Sequence, residues 1–284
     1  MNKTAIKDVT DTAAWVATYR ARETLRVDSL FKDPLAAVLT GEWGAHIAAD
    51  NKTFGAEWYI IVRTAIIDQL IRTALSEGID TIVNLGAGLD TRPYRLGLPK
   101  DLLWIEVDYP RIIEIKNDKL KDQVPDCRLE RVALDLANES LREELFASIA
   151  KRSKKVLIIS EGVLPYLTEE QVSSLAQDLR EHSNFVLWII DYFAPGSVKM
   201  MARGKRREQM QNAPFIFNPS RWDEFFAKCG WQLKTMKFTF VSAKEFGRPP
   251  PVPRIVRALL VILPKFLRRR IMESSGFALM EIRK

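Results

Sequence analysis

Four short stretches carry residue types and spacings that could do chemistry. In Asn84-Leu85-Gly86-Ala87-Gly88-Leu89-Asp90-Thr91 two glycines follow a short apolar run. They let the backbone turn tightly and approach a ligand, and a helix beginning there would offer free backbone N–H groups. Thr91 stands where the third glycine of G-x-G-x-x-G would be, so the fingerprint is incomplete. A nucleotide site and a plain tight turn both fit. The second stretch, Ile105-Glu106-Val107-Asp108, ends on an acid twenty residues after Gly88. A carboxylate so placed can accept both ribose hydroxyl hydrogen bonds of an adenosine. Asp108 is favoured over Glu106 because it is nearer the carboxyl end of its strand.

The third stretch, Ala133-Leu134-Asp135-Leu136, closes another apolar run. Asp135 could accept from an adenine amino group with Leu136 over the ring, or it could cap the helix that follows. The fourth, Ser160-Glu161-Gly162-Val163-Leu164-Pro165-Tyr166-Leu167-Thr168, places an acid and a tyrosine after a strand. Thr168 can cap the next helix with Glu170 or Gln171 nearby. A loop acid and a core tyrosine also satisfy this stretch.

These residues need a scaffold. Residues 1–78 read as helical, with apolar residues at helical spacing in TAAWVATYRARETLR, PLAAVLTGEWGAHIAAD and WYIIVRTAIIDQLIRTALSEG. Pro34 after Asp33 suits a helix start. From residue 81, TIVNLGAG, LLWIEVD, CRLERVALD, KVLIIS and NFVLWIIDYF alternate with helical stretches. That alternation predicts a mostly parallel sheet covered on both faces, which binds ligands at its carboxyl edge. Residues 194–230 interrupt the rhythm and end in a helix, RWDEFFAKCG, stopped by Gly230. WQLKTMKFTFV reads as a sixth strand. RPPPVP then breaks regular structure before the amphipathic RIVRALLVILPKFLRRRIM, and GFALMEI reads as the last strand.

The 284 residues are 47% hydrophobic, enough for one large domain and against disorder. No apolar run reaches the ~18 residues of a bilayer span, and the N-terminus lacks a signal-peptide core. Cys127 and Cys229 have no metal or redox spacing and read as buried, reduced thiols of a cytoplasmic protein. The net charge is +7. Residues 248–270 hold seven cations and no acid: Arg248, Arg254, Arg257, Lys265, Arg268, Arg269 and Arg270. The remainder is therefore neutral overall, and a nucleic-acid surface is not indicated. The segment could form a lid over an acidic substrate or a solvated helix face; Pro264 counts against stable attachment to a membrane.

In their order, the stretches resemble the leucine carboxyl methyltransferase family, and within it the bacterial O-methyltransferases of polyketide-synthesis type. ARETLRVDSLFKDPLAAVLTG is similar to the family's N-terminal signature, VRTAIIDQLI to its cap helix, NLGAGLDTRPYRL and WIEVDYP to its cofactor motifs, and SEGVLPYLTEEQV to its segment after the fourth strand. The terminal SSGFALMEI is also of the family's style. The resemblance implies a class I S-adenosylmethionine (SAM)-dependent methyltransferase with a Rossmann-like, mostly parallel seven-stranded α/β sheet. It implies an N-terminal helical cap over 1–78 and a core over 79–284, with 194–230 and 247–272 as cap or lid segments. By the same carry-over Arg63 pairs with the methionine carboxylate, Gly86 and Gly88 approach methionine and ribose, Asp108 holds the ribose, Asp135 and Leu136 contact adenine, and Glu161 sits near the methionine amino group. On residue type alone, Arg63 would read as a surface helix arginine.

SAM carries an activated methyl group, so the protein chiefly aligns an acceptor. No metal cluster is evident in the sequence. General-base chemistry usually employs histidine, and only His46 and His182 are present. His182 precedes the fifth strand, at the edge opposite the expected site; His46 falls in the N-terminal cap and stays open as a base. A carboxylate acceptor is ionised near pH 7 and needs no base, which favours a small, acidic acceptor and methyl-ester formation. A phenol oriented by Tyr19, Tyr166 or Tyr192 is the competing acceptor. Two other classes share part of the pattern: a nicotinamide-dependent oxidoreductase, disfavoured by Thr91 and the Glu-Gly motif, and a noncatalytic binding protein of the same fold. Oligomeric state is not legible.

Overall fold

The computed structural model describes residues 9–50, 55–197, 215–253 and 262–283. Helices α1 (Val9–Thr24), α2 (Pro34–Asp50) and α3 (Ala56–Ser76) come first. Strands β1 (Thr81–Leu85), β2 (Leu103–Asp108), β3 (Arg128–Ala133), β4 (Val156–Ser160) and β5 (Phe185–Phe193) then alternate with α4 (Pro110–Lys119), α5 (Glu139–Arg152) and α6 (Glu169–Arg180). Strands β6 (Trp231–Phe238) and β7 (Ser275–Ile282) complete one seven-stranded sheet in the order β3-β2-β1-β4-β5-β7-β6. The first five strands are parallel, and β7 runs antiparallel to both β5 and β6. This is the Rossmann-like α/β architecture that the alternating pattern predicts. Strand order reverses between β1 and β4, so the crevice lies at their carboxyl ends.

The central strands β1, β4 and β5 read as near-continuous apolar runs because both faces are covered. On one face, Val83, Ile105, Ile158, Trp188 and Ile190 pack under α5, α6 and the helix Trp222–Lys228. On the other, Ile82, Trp104, Leu157, Ile159 and Ile189 pack under α3. The two-residue side-chain period therefore decides which layer each strand-end residue meets.

A third cluster, built of Ala14, Ala17, Ala36, Leu39, Leu89 and Leu120, seats α1 and α2 beside the loop after β1. Its small residues let the helices approach closely. Polar contacts fix the seat. Asp33, fully buried, accepts from Arg20 Nε at 2.8 Å and from Thr91 Oγ1 at 2.5 Å. It also accepts from the Ala36 amide at 3.1 Å, capping α2 ahead of Pro34. Arg20 in turn donates to the Leu89 carbonyl at 2.5 Å.

Local differences from the sequence reading have simple causes. Thr239–Val241, expected to extend the sixth strand, begin a helix, Thr239–Glu245, with Thr239 fully buried. Asn138, not Asp135, caps α5 by accepting from the Leu141 amide at 3.2 Å. Thr168 and Gln171 form the capping box of α6. Gly230 ends the helix Trp222–Lys228 with φ 82°. RPPPVP is irregular as expected, and the described part of the amphipathic stretch is a helix, Lys265–Met272, entered from Pro264.

Asp33→Ala removes the acceptor shared by α1, α2 and the β1 loop, and leaves Arg20 buried without its partner. It should lower unfolding free energy by about 3–5 kcal/mol, the scale for breaking a buried ion pair. Urea denaturation of the two proteins checks this; a loss under about 1 kcal/mol would contradict the anchoring role.

Candidate active site

The loop after β1 and the turn after β4 meet in the crevice. Gly86 has φ 64°, and a Cβ added there would lie 2.5 Å from Val163 Cγ2, so another residue would be strained and would have to push that methyl aside. Gly88 also has positive φ. Its amide donates to Asp108 Oδ2 at 2.6 Å, while the Tyr109 amide donates to Oδ1 at 2.7 Å. Two backbone amides thus orient the carboxylate at the end of β2. Burial nevertheless raises the Asp108 pKa, with those amides and Lys116 pulling the other way. Glu106 is committed elsewhere: it is fully buried between Lys116 Nζ at 2.8 Å and Arg131 Nε at 2.9 Å.

At the end of β3, Asp135 is exposed and Leu136 half-buried. Asp135 accepts from the Ala137 amide at 2.9 Å. Arg142 holds this loop by donating to the Leu136 carbonyl at 2.7 Å. Tyr109, 46% exposed, neighbours Asp135 at this edge.

Glu161, after β4, lies between two guanidinium groups: Arg63 Nε at 2.7 Å and Arg92 Nη1 at 2.8 Å. Burial pushes its carboxyl up, but Arg92 and Arg63 together hold it below the usual range. Arg92, only 2% exposed, also binds Asp68 and Asp90, each at 2.7 Å. Arg95 makes a further 2.7 Å pair with Asp68, and Asn84 donates to Asp90 at 2.9 Å. Burial opposes charge on Asp90 too, yet the combined fields of Arg92, Arg20, Lys116 and Arg95 keep it ionised. Arg63 is not a surface arginine: it reaches the crevice from α3, one turn after Tyr59.

Asp191, two residues before the end of β5, lies on the α3 face. Its Oδ2 accepts from the Gly162 amide at 2.7 Å. Burial pushes its pKa up to about 6, against Arg63 and that amide. Tyr59 and Tyr166 complete this corner, both interacting electrostatically with Asp191 and Arg63. Burial raises both phenols. Tyr166 packs edge-on against Phe215, which also stacks on Phe193. The amides of Ile216 and Phe217 donate to the Pro165 carbonyl, tying this chain to the turn after β4.

The structure therefore brings Arg63, Gly86, Gly88, Asp108, Glu161 and Tyr166 to one edge, with Asp135 and Leu136 beside it. Tyr192, one residue past Asp191, points to the other face, against Trp222 and Phe238. Tyr19 accepts from Trp15 Nε1 at 3.0 Å within α1, apart from the Arg63 corner. His182 lies just before β5, at the amino edge. The His46 side chain, residues 198–214, and Arg254 and Arg257 lie outside the described residues. The basic segment is not wholly uncompensated: Arg248 pairs with Glu23 at 2.8 Å and Asp28 at 2.5 Å, and Arg269 with Glu273 at 2.9 Å. Lys265, Arg268, Arg269 and Arg270 are exposed. Both cysteines are free and buried.

Asp191, Tyr59 and the pairing of Asp68 and Asp90 with Arg92 are absent from the sequence reading. Asp191 had the signal that singled out Asp108, an acid at the carboxyl end of an apolar strand. Tyr59 had helical spacing from Arg63. Among the described residues no helix is long and apolar enough to cross a membrane, and no group of three His, Cys, Asp or Glu could hold a metal ion.

A sheet of this order, with a glycine loop after β1 and an acid ending β2, defines a class I methyltransferase. The sequence matches the leucine carboxyl methyltransferase family over residues 13–180, and the chain belongs to that family. It is an S-adenosylmethionine-dependent methyltransferase. A Streptomyces coelicolor protein named for that activity is 33% identical over 84% of this chain and 88% of its own length. One from Mycobacteroides abscessus is 29% identical over 87% and 90%. In fold, the chain is similar to a DUF574 family protein from Streptomyces avermitilis (TM-score 0.57, 12% identity, 94% and 96% coverage). It is also similar to a crystal structure titled as a methyltransferase from Thermobifida fusca (TM-score 0.56, 14% identity, 87% and 93%).

The raised Asp191 carboxyl has a stability consequence with a defined sign. The folded chain binds its proton more tightly than the unfolded chain does, so this group's stabilisation is complete below the ordinary carboxylate pKa and lost as pH rises through about 6. Asp191→Asn should therefore be more stable than wild type at pH 7.5 by roughly 1–3 kcal/mol, the gap closing towards pH 4. Urea unfolding across that range checks it; a pH-independent difference would contradict the assignment.

Proposed function

We propose that this methyltransferase transfers the methyl group to an oxygen of a small-molecule acceptor, a carboxylate in the first instance. The observation that carries the reading is the corner where the Arg63–Glu161 pair adjoins Asp191 and the aromatic wall of Tyr166, Phe193 and Phe215. Charged groups there suit the polar end of a ligand, and the aromatic rings suit an apolar acceptor body.

The residues fit the cofactor. Gly86 turns at positive φ close against Val163, and Asp108 is held by two amides, one of them from Gly88 of the same loop. Asp108 would hold the ribose hydroxyls, with Gly86 and Gly88 against methionine and ribose. Asp135 and Leu136 would face adenine, beside the exposed Tyr109 ring. Arg63 would take the methionine carboxylate and Glu161 the amino group, so an existing ion pair opens to receive a zwitterion. When bound, the cofactor supplies the electrophilic methyl group. The chain's own residues orient the acceptor and exclude water.

His182 stands at the opposite edge of the sheet, so it is not placed to serve as a base. An ionised carboxylate needs none. A second reading follows from Asp191: a carboxylate whose pKa is pushed to about 6 at this corner suits a general base for a hydroxyl acceptor. We read residues 215–217, tied to the turn after β4, as part of a cover over the acceptor, with the exposed cations of Lys265–Met272 favouring an acidic one.

Asp108→Ala should weaken binding of SAM by about 1–3 kcal/mol, the scale of hydrogen bonds to a charged group, and Arg63→Ala should act similarly. Calorimetric titration of the folded variants tests both; wild-type affinity in both would overturn these roles. With an acceptor found by screening carboxylic acids and phenols, His182→Ala should turn over at the wild-type rate. A large loss of rate with fold and cofactor affinity intact would contradict the base-free reading.

A further inference from the structure

Two buried donors in the crevice lack an aligned partner. Among the described residues the buried Tyr59 hydroxyl has no hydrogen-bond partner, and Arg63 Nε, although 2.7 Å from Glu161 Oε1, is not aimed at it as a hydrogen bond. Both belong to α3, at positions four apart, so they project from one face on successive turns. Their shared surroundings are Glu161, Asp191 and Tyr166. The Tyr59 ring is fixed from behind by Phe277 of β7, with centroids 6.4 Å apart.

Leaving a hydroxyl buried and unpaired costs free energy unless something else pairs with it. Phenylalanine would fill the same space against Phe277 without that cost. The neighbouring carboxylates do not accept from this hydroxyl: Asp191 Oδ2 is taken up by the Gly162 amide, and Glu161 by Arg63 and Arg92. Tyrosine here therefore points to an acceptor that arrives with a ligand. The phenol, held protonated by burial, can only donate or accept as a neutral group, and beside a guanidinium it suits an anion.

Resting on the cofactor reading above, we propose that Tyr59 is a cofactor-binding residue that donates its hydroxyl hydrogen bond to the methionine carboxylate of the cofactor, alongside Arg63. The carboxylate then meets two donors from successive turns of α3, and the ammonium group beside it faces Glu161 and Asp191. One ligand group satisfies both unpaired donors, and its neighbour satisfies the acids. The arrangement reads an α-amino acid end rather than a bare carboxylate, because anionic and cationic halves are matched at adjacent positions.

The test uses ligands that differ in that carboxylate. S-adenosylhomocysteine carries it; decarboxylated S-adenosylmethionine keeps the amino group and lacks it. Calorimetric titration of wild type and Tyr59→Phe with each should show S-adenosylhomocysteine affinity falling about tenfold or more, the scale of a hydrogen bond to a charged group. Affinity for the decarboxylated ligand should change less than about twofold, on the same grounds. Ligand-free Tyr59→Phe should melt at or above the wild-type temperature, since only an unpartnered hydroxyl is removed. Unchanged S-adenosylhomocysteine affinity, or equal losses for both ligands, would overturn the assignment. An effect confined to the acceptor's KM would place Tyr59 on the acceptor instead. Wild-type protein that binds neither ligand would overturn the cofactor reading itself, and this assignment with it.

Discussion

A guanidinium taken out of water must be surrounded by carboxylates and by every hydrogen-bond acceptor its fork can reach, and Arg92 meets that demand with Asp68, Asp90 and Glu161. These three acids come from α3, the loop after β1 and the turn after β4. One buried cation therefore joins the three elements that form the crevice. Such a network is weak evidence for net stability, because desolvation offsets much of the attraction. Its value lies in position. With Asp68 and Asp90 pulling from the other side, Glu161 is held where Arg63 can meet it.

The sheet's two-sided burial sets the remaining geometry. Residues alternate between the α3 layer and the layer of α5, α6 and Trp222–Lys228, so the parity of a strand-end residue decides its chemistry. Asp191 shares its face with Leu187 and Ile189 and meets Arg63. Tyr192 shares its face with Trp188 and Ile190 and meets Trp222. A one-residue shift in β5 would exchange an aromatic core contact for a charged one. Helices α1 and α2 act from outside through Asp33, which ties their seat to Thr91 at the end of the glycine loop.

Local patterns made most of the fold legible. The β1–β5 alternation, the Gly230 stop and the capping at Thr168 each depend on residues close in sequence. The glycine loop and Asp108 were legible for the same reason. The charge network was not, because Asp68, Arg92 and Glu161 are brought together only by tertiary structure. Tyr192 entered as one of three tyrosine candidates on residue type alone, whereas strand parity puts Asp191 on the α3 face. Uncompensated charge in residues 248–270 was a count along the chain; Arg248 is neutralised by Glu23 and Asp28, more than two hundred residues away in sequence.

Together these constraints describe a methyltransferase whose proposed cofactor site lies at the carboxyl edge, between the glycine loop and α3. The most direct measurement is a crystal structure of the wild-type protein with S-adenosylhomocysteine. The account predicts ribose hydroxyls on Asp108, the amino acid end between Arg63 and Glu161, and Arg92 still bound to Asp68 and Asp90. Ligand bound with its amino acid end away from α3, or an Arg92 network that must come apart to admit it, would contradict the account.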